Sequence, residues 1–411
     1  MRRARRSLPE CKESDLRRSA CLGLLLLAAC MQEPVKVGAG AGPDLKLNQI
    51  QVLGTHNSYS QGVDPRLLAM LDEAFSKKME QAVNSMSPAA HALFEEEHPN
   101  TMPISEMLSY SHPGLVRQLD LGVRSLELDV NPDPEGGAFR DPAGYRILRQ
   151  KGVKDLLPFD PAGLDKPGFK VLHMPDIDFR SSCNTLRLCL GQIRDWSDAH
   201  PGHVPIFILI EAKVQAIPLL PGASKPVPFS PALFDALDAE LVDTMGRDRI
   251  ITPDDVRGKY PTLNKAVLAG GWPRLADARG KVLFLMLTAN GPDGASDYLV
   301  GHPGLKGRVA FLRAMPGEDH AAFLLLDNAL VRGSEIRKYV EQGYLVRTRS
   351  DIETYEAKTN DMTRARAAFA SGAQIVSTDF EQAGNAYGTS YVVRLPGGGD
   401  MRCDPVNARG F

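Results

Sequence analysis

Several signals that mark other protein classes are missing from this chain of 411 residues. No Gly-x-Gly-x-x-Gly loop follows a candidate strand, which disfavours an open nucleotide-binding sheet. Cys-x-x-Cys and His-x-x-x-His pairs are absent, which disfavours a zinc site. No apolar run reaches the roughly 18 residues that a permanent membrane helix needs. The formal net charge of −2 offers no basic surface for nucleic acid.

The first 30 residues have the features of an export signal. An Arg-rich segment precedes a short apolar stretch at residues 21–29. The stretch ends in Leu27-Ala28-Ala29-Cys30, which matches the bacterial lipobox, so Cys30 would be diacylated and become the first mature residue, anchored in the cell envelope. An ordinary cleaved signal peptide is the alternative, and the protein would then be secreted. Residues 31–44, rich in Gly, Ala and Pro, predict a flexible tether.

Removal of this signal changes the charge and the cysteine content. Residues 1–29 hold seven Lys/Arg and three Asp/Glu, so the remaining chain has a formal net charge of −6. It keeps Cys30, Cys183, Cys189 and Cys403. In an exported protein Cys183 and Cys189, six residues apart, are the natural disulfide pair. A reduced pair, or a bond from Cys403 to one of them, stays open.

Short apolar segments predict eight β-strands. They lie at Ile50–Gly54, Val123–Val130, Phe169–His173, Val204–Ile210, Lys281–Thr288, Ala322–Asp327, Tyr344–Arg347 and Ile375–Asp379, with Val309–Leu312 competing for the sixth place. Helical patterns lie between several of them, at Pro65–Ala82, Thr185–Ala199, Ser230–Met245 and Arg364–Ser371. Strands that alternate with helices indicate a parallel sheet, and eight strands favour an α/β fold of the (β/α)₈ TIM-barrel type with loop insertions.

Polar patches stand at the C-terminal ends of four strand candidates. They are His56-Asn57, Glu127-Leu128-Asp129, His173 and Glu211-Ala212-Lys213. The C-terminal ends of barrel strands meet at one face, so we expect these side chains to form one site. Alternation along a strand puts Glu127 and Asp129 on the same face, where two acids need a cation between them. Three carboxylates and an amide oxygen suit Ca²⁺, and Mg²⁺ less well.

Histidines supply the second part of the predicted site. His56 and His173 end different strand candidates and suit general base and general acid roles near neutral pH. The other seven histidines lie in predicted loops or helices, and only His112, in Tyr110-Ser111-His112-Pro113, is singled out among them. Any one of the acids taken alone would be interpreted as part of a barrel salt bridge. The set taken together favours a catalytic site.

These residues, in this order, resemble the catalytic X region of Ca²⁺-dependent phosphoinositide-specific phospholipases C. That region contains a His-Asn pair, a Gly-x-Arg-x-x-Glu-x-Asp strand, a second histidine and a later glutamate. Here they are His56-Asn57, residues 122–129, His173 and Glu211. Other segments, such as Asp176-Ile177-Asp178-Phe179, look like the bacterial secreted branch of the family. The resemblance covers about residues 45–405.

The resemblance implies a distorted barrel over residues 45–405 that cleaves phosphatidylinositol-type lipids to diacylglycerol and inositol 1,2-cyclic phosphate or inositol phosphate. It implies that Asn57, Glu127, Asp129 and Glu211 bind Ca²⁺ while the inositol 2-hydroxyl attacks the phosphorus. His56 and His173 would be the catalytic pair, with His173 protonating the leaving group. Whether His56 or a carboxylate is the base stays open. We expect a monomer that meets the membrane through its lipid anchor and its substrate.

Four further residues have predicted supporting roles. Lys213 shares a face with Glu211 and is expected to hold a phosphate or hydroxyl group of the substrate, or to form a barrel salt bridge. Arg347 and Arg349 share a face at the end of the seventh strand and are expected to contact the polar headgroup. Asp379 ends the eighth strand, which neighbours the first in a closed barrel, so it is expected to orient His56.

Two other functions compete with this interpretation. A glycerophosphodiester phosphodiesterase would share the barrel, the Glu-x-Asp strand and the paired histidines. That family opens with His-Arg-Gly, whereas Asn57-Ser58-Tyr59 follows His56 here. A non-catalytic, ligand-binding lipoprotein would have no reason to keep both histidines and three clustered acids. The favoured substrate is an inositol phospholipid, with a soluble glycerophosphoinositol as a second option.

Overall fold

A parallel barrel forms from the short apolar runs of the sequence. The computed structural model describes residues 45–100, 102–213, 219–287 and 295–408. The predicted export signal, Cys30 and the predicted tether lie outside these residues. Among the helices of the described ranges, none is long and apolar enough to cross a membrane.

The described residues form ten strands. They are β1 (Ile50–Thr55), β2 (Ser125–Asp133), β3 (Gly168–Val171), β4 (Ile206–Ala212), β5 (Val282–Leu287), β6 (Phe311–Leu312), β7 (Phe323–Asn328), β8 (Leu345–Arg349), β9 (Ile375–Thr378) and β10 (Arg402–Cys403). Eight of them are parallel, in the order β6-β5-β4-β2-β1-β9-β8-β7. A single bridge from Arg313 to Phe323 joins the two ends. The predicted (β/α)₈ barrel is confirmed, and it is nearly closed.

One strand assignment from the sequence is wrong. The segment Phe169–His173 was predicted as the third barrel strand, but β3 pairs antiparallel with the far end of β2, from Val130 to Asp133. Strand β2 extends beyond the barrel, so its last residues are free to pair with β3 while β2 itself pairs directly with β4. The missing place in the barrel is taken by β6, within the competing segment Val309–Leu312.

Helices connect the strands on the outside of the barrel. They are α1 (Pro65–Asn84), α2 (Pro88–Glu97), α3 (Ile104–Met107), α4 (Leu115–Asp120), α5 (Ala143–Gln150), α6 (Leu186–Ala199), α7 (Pro231–Met245), α8 (Pro253–Arg257), α9 (Leu263–Leu268), α10 (Leu275–Ala278), α11 (Ala295–Leu299), α12 (Ala329–Gln342), α13 (Tyr355–Thr359) and α14 (Thr363–Ser371). The four helices predicted from periodicity are α1, α6, α7 and α14. Helix α2, between β1 and β2, was not predicted.

Local sequence sets where the long helices begin. Asp64, Thr185 and Ser230 each accept a hydrogen bond from a backbone N–H in the first turn of α1, α6 and α7. Such caps satisfy amides that have no partner inside the helix. Proline follows the cap in α1 and α7, where its missing N–H costs nothing.

Close packing inside the barrel depends on one glycine of β1. A Cβ atom on Gly54 would lie 2.8 Å from the Cβ of Ser125 on β2 and 3.2 Å from the hydroxyl of Ser377 on β9. A side chain at this position would therefore push β1 away from both neighbours. The glycine lets β1 carry the residues that follow it into the barrel mouth.

The disulfide predicted from the cysteine spacing is present between Cys183 and Cys189. It links the loop that follows β3 to the first turn of α6. Cys403 is a free, half-buried thiol on β10, which pairs antiparallel with the start of β1.

Candidate active site

Three carboxylates converge at the mouth of the barrel. Asp129 on β2 and Glu211 on β4 are paired in register, and Glu127 lies two residues earlier on the same face of β2. One oxygen from each of the three lies within 4.8 Å of the others. Glu127 and Asp129 are buried, whereas the Glu211 side chain is 33% exposed and faces the opening. The acids that the sequence predicted as a group therefore do form one cluster.

Burial makes this cluster costly without a cation. It raises the pKa of Glu127 to about 8, against the opposing charge of Arg347 and with the help of Asp129 and Glu211. It also raises the pKa of Asp129 to about 6, although Lys213 opposes the rise. Partial desolvation acts in the same direction on Glu211, but the charge and hydrogen bond of Lys213 outweigh it and lower the pKa of Glu211. Two of the three carboxylates therefore resist the loss of their protons. A divalent cation in the cluster would favour the ionised form of both.

Asn57 is fixed beside the acids by an unusual backbone conformation. Its φ of 47° lies in the left-handed region, which asparagine adopts more readily than most residues. The side-chain Nδ2 donates to the Tyr110 hydroxyl at 2.7 Å. Within the described part of the chain, its Oδ1 accepts only from the Tyr59 hydroxyl, at 3.5 Å. Asn57 therefore offers an oriented amide oxygen from a fully buried position.

The donor set fits a hard divalent cation. Asp129 Oδ1 is buried and has no hydrogen-bond partner among the described residues. Buried carboxylate oxygens are rarely left without a partner, which indicates that a ligand completes the site. Carboxylate and amide oxygens are the ligands that Ca²⁺ uses, and the two histidine rings are bound to aspartates instead.

His56 lies on one side of the acid cluster, directly after β1. Its Nδ1 is 3.0 Å from Asp379 Oδ1 at the end of β9, and its Nε2 is 3.8 Å from Glu127 Oε1. Since a carboxylate can only accept, Nδ1 carries the proton and Nε2 is free to accept one. Burial and the positive charge of Arg349 lower the pKa of His56 to about 4, against the effect of Asp379. The neutral ring is ready to act as a base.

A second, buried histidine lies behind this pair. His112 Nδ1 is 2.9 Å from Glu381 Oε2, and its Nε2 is 3.8 Å from Asp379 Oδ1. Burial alone would lower its pKa, but Glu381 and Asp379 raise the pKa of His112 to about 10. Arg349 also contacts Asp379, at 2.8 Å. Asp379 is therefore held as a carboxylate between two cations, and His56 takes its orientation from it.

His173 reaches the cluster from above the barrel. Its neighbour Leu172 donates its N–H to the Asp129 carbonyl at 3.3 Å, which brings the end of β3 down to the mouth. The His173 Nδ1 is 2.9 Å from Asp178 Oδ2, and the ring is 21% exposed. Met174 and Asp178 close the intervening turn with two backbone hydrogen bonds. Asp178 was not predicted as a site residue. Its one signal in the sequence was its position in the segment Asp176-Ile177-Asp178-Phe179.

The three predicted basic residues all contact protein acids. Arg347 is buried, with its three guanidinium nitrogens on Glu127, Asp327 and Ser377. Arg349 contacts Asp379. Lys213 lies 2.9 Å from both Asp129 and Glu211. The barrel salt bridge that the sequence left open for Lys213 is thus present, and Arg347 holds Glu127 in place.

A clustered set of acids between two aspartate-bound histidines, at the mouth of a (β/α)₈ barrel, fits the class of enzymes that combine metal assistance with general acid–base catalysis. Comparison with known proteins narrows the class. The sequence profile of the family described as phosphoinositide phospholipase C, Ca²⁺-dependent, matches residues 45–405. The chain therefore belongs to the Ca²⁺-dependent phosphoinositide phospholipase C family and is a phosphodiesterase with Ca²⁺ as its cofactor. This confirms the family predicted from the motifs.

Solved structures are similar in fold. A calcium-dependent phosphoinositol-specific phospholipase C from Pseudomonas sp. is 15% identical, with a TM-score of 0.50 over 89% of this chain and 97% of that chain. A Ca²⁺-dependent phosphatidylinositol-specific phospholipase C from Streptomyces antibioticus is 20% identical, with a TM-score of 0.47 over 82% and 95%. At these identities the Pseudomonas structure supports the fold, and the second likeness carries no further argument. No curated protein gives a significant match.

Proposed function

We propose that this protein cleaves the glycerol–phosphate ester of phosphatidylinositol-type lipids and releases diacylglycerol and inositol 1,2-cyclic phosphate. The observation that carries the proposal is the pair of histidines, each fixed through Nδ1 by an aspartate, on either side of an oxygen-rich cation site. Membership in the family supplies the substrate class. Slow hydrolysis of the cyclic product to inositol phosphate uses the same two groups in reversed roles.

The proposed cation ligands are Asn57, Glu127, Asp129 and Glu211. When bound there, Ca²⁺ supplies positive charge that favours ionisation of the inositol 2-hydroxyl and neutralises charge on the phosphate. The Arg347 guanidinium donates to Glu127 Oε2 at 3.0 Å, which leaves Oε1 as the oxygen available to a cation. Lys213, whose side chain is 16% exposed at the opening, is the basic residue that we propose contacts the phosphate.

We assign the two proton transfers to the two histidines. His56 Nε2, which is unprotonated, accepts the proton of the inositol 2-hydroxyl as its oxygen attacks phosphorus. Asp379 stabilises the imidazolium that forms, while Arg349 and His112 keep Asp379 ionised. His173, with its Nδ1 proton on Asp178, donates from Nε2 to the departing glycerol oxygen. Each transfer contributes about 10²- to 10⁴-fold in rate.

The cellular setting proposed here follows from the first residues. Residues 1–30 would direct export, Cys30 would carry the lipid, and residues 31–44 would tether residues 45–405, the catalytic domain, to the envelope. A cleaved and secreted form is the alternative. We propose that the protein is a monomer. Metabolic labelling with a radioactive fatty acid, compared between the wild type and Cys30→Ala, tests the anchor.

Phosphorus NMR tests the reaction and the site together. The mature chain is incubated with phosphatidylinositol in excess Ca²⁺ or in EGTA, and we expect a Ca²⁺-dependent cyclic inositol phosphate signal. His56→Ala, His173→Ala and Glu127→Gln should abolish it. His200→Ala is the matched control, because His200 is exposed at the end of α6, before the start of β4, whereas Glu211 lies near the other end of that strand.

Two other results would redirect the assignment. A linear phosphomonoester from glycerophosphodiesters, without turnover of phosphatidylinositol, would identify a glycerophosphodiester phosphodiesterase. No turnover of either substrate would leave a ligand-binding lipoprotein. Cleavage of glycerophosphoinositol in preference to the lipid would keep the mechanism and move the natural substrate to a soluble one.

A further inference from the structure

Lys213 shares its ammonium group between two of the proposed calcium ligands. Its Nζ lies 2.9 Å from Asp129 Oδ2 and 2.9 Å from Glu211 Oε1. Its backbone N–H donates to the Val130 carbonyl at 2.9 Å, which fixes the base of the side chain beside Asp129. We propose that Lys213 is an internal counter-ion that competes with Ca²⁺ for these carboxylates and so sets a weak calcium affinity. The inference rests on the proposed metal site and adds its regulation.

Competition follows from what each cation requires. Ca²⁺ takes six to eight oxygen ligands. Two of the carboxylates that would supply them, those of Asp129 and Glu211, already contact the Lys213 ammonium, Asp129 through Oδ2 and Glu211 through Oε1. A unit charge within about 4–6 Å changes the proton affinity of a carboxylate by roughly 10- to 1000-fold. The positive charge of Lys213 also opposes the binding of a divalent cation to the same carboxylates. Bringing Ca²⁺ into the cluster therefore requires Nζ to give up part of its contact.

Lys213 is free to move in a way that the other basic partner is not. Arg347 is bound by Glu127, Asp327 and Ser377 together and is almost fully buried. Among the described residues, the Lys213 side chain has only Asp129 and Glu211 as polar contacts, and it is 16% exposed. A flexible lysine at the opening can turn toward solvent while Arg347 stays in place.

The charge of the carboxylate cluster also favours competition between Lys213 and Ca²⁺. Glu127, Asp129 and Glu211 contribute three negative charges when ionised, and the charge of Arg347 is shared between Glu127 and Asp327. Lys213 offsets one of the three charges at the open side of the cluster. When Lys213 turns away, that charge becomes available to a divalent cation. Such a site responds to the dissolved calcium of about 10⁻⁴ to 10⁻³ M that exported calcium sites sense.

Calorimetric titration of the mature chain with CaCl₂ tests the inference directly. We expect Lys213→Met to lower the calcium Kd by about tenfold or more, because it removes the competing charge. Lys213→Arg keeps the charge and should stay within about threefold of the wild type. Lys170→Met is the matched control, since Lys170 is a buried lysine paired with Asp133, outside the cluster. It should leave the Kd unchanged.

Each other result has a definite meaning. An unchanged or larger Kd in Lys213→Met overturns the inference, and a larger one would make Lys213 an organiser of the ligands. Wild-type protein that binds no Ca²⁺ would instead refute the proposed metal site itself. If Lys213→Met does not fold, the wild type labelled with ¹³Cε-lysine provides the test. The Lys213 signal, assigned through Lys213→Arg, should shift on titration with CaCl₂; a static signal overturns the inference.

Discussion

His56 and His173 make the same local contact but depend on different parts of the molecule. Each binds an aspartate through Nδ1, at 3.0 Å and 2.9 Å. The partner of His56 is Asp379, 323 residues away on the neighbouring barrel strand. The partner of His173 is Asp178, five residues away in a turn. One histidine is positioned by the pairing of the first and last barrel strands, and the other by a short loop.

The difference extends to the electrostatics around each ring. Asp379 is surrounded by Arg349, His112 and His56, and their charges hold the pKa of Asp379 well below its usual range despite its burial. Asp178 has no polar side-chain partner except His173 among the described residues. The first pair is embedded in a charge network, where burial and the positive charge of Arg349 favour the neutral His56 ring. The second pair depends on a single contact between side chains.

Removal of each ring should give the largest effects and show that the roles differ. We expect His56→Ala and His173→Ala each to lower kcat on phosphatidylinositol by about 10²- to 10⁴-fold. A nitrophenyl ester of inositol phosphate has a leaving group that needs no proton. It should restore most of the rate of His173→Ala and little of that of His56→Ala, as measured by release of nitrophenol. Equal rescue of both variants would contradict the assignment of the acid.

Replacement of the two aspartates should separate stability from catalysis. Asp379→Asn and Asp178→Asn should both lower kcat, by up to the roughly 10⁴-fold known for the aspartate of a serine protease triad. Asp379→Asn should also cost about 3–5 kcal/mol in the free energy of unfolding, because it breaks a buried ionic network. Asp178→Asn should cost about 1 kcal/mol. Urea unfolding measures both, and equal losses would show that the two pairs are equally embedded.

The smallest effect concerns His112 and depends on pH. The folded-state pKa of about 10 lies above the ordinary value of 6.5, so the stabilisation by the charged ring is complete below pH 6.5 and is lost as the pH rises toward 10. His112→Asn should therefore cost about 3 kcal/mol at pH 6 and much less at pH 10. Urea unfolding across this range checks it. A loss that is constant with pH would mean that His112 acts by packing alone.

The sequence was sufficient wherever one residue pattern determined one geometry. Alternation along a strand grouped Glu127 with Asp129, and the ends of apolar runs located His56-Asn57 and Glu211. Closure of the barrel made the eighth strand a neighbour of the first, which led to Asp379. These inferences need only the period of a strand and the order of strands in a barrel.

Elsewhere the sequence was not sufficient, because the deciding contacts are tertiary. An apolar run such as Phe169–His173 looks the same whether its partner is parallel or antiparallel, and β6 is too short to stand out. The predicted headgroup role of Arg347 rested on the face it shares with Arg349. The pattern could not show that the Arg347 guanidinium would donate to Glu127, across the barrel. The position of Asp178 depends on a turn, and no periodicity in the sequence indicates the hydrogen bonds that close this turn.

The single bridge between β6 and β7 has a consequence for motion. The site residues of the barrel lie on, or directly after, β1, β2, β4, β8 and β9. Strands β1 and β2 share one registered pair, but hydrogen bonds from Arg124 to Leu53 and in both directions between Ser58 and Glu127 reinforce it. Among the described residues, β6 and β7 are joined only by the bridge from Arg313 to Phe323. Local opening at that junction would expose the amide of Ala314, which donates to Phe323, before any strand that carries a catalytic group. The barrel can therefore fluctuate at its seam while its catalytic half stays rigid.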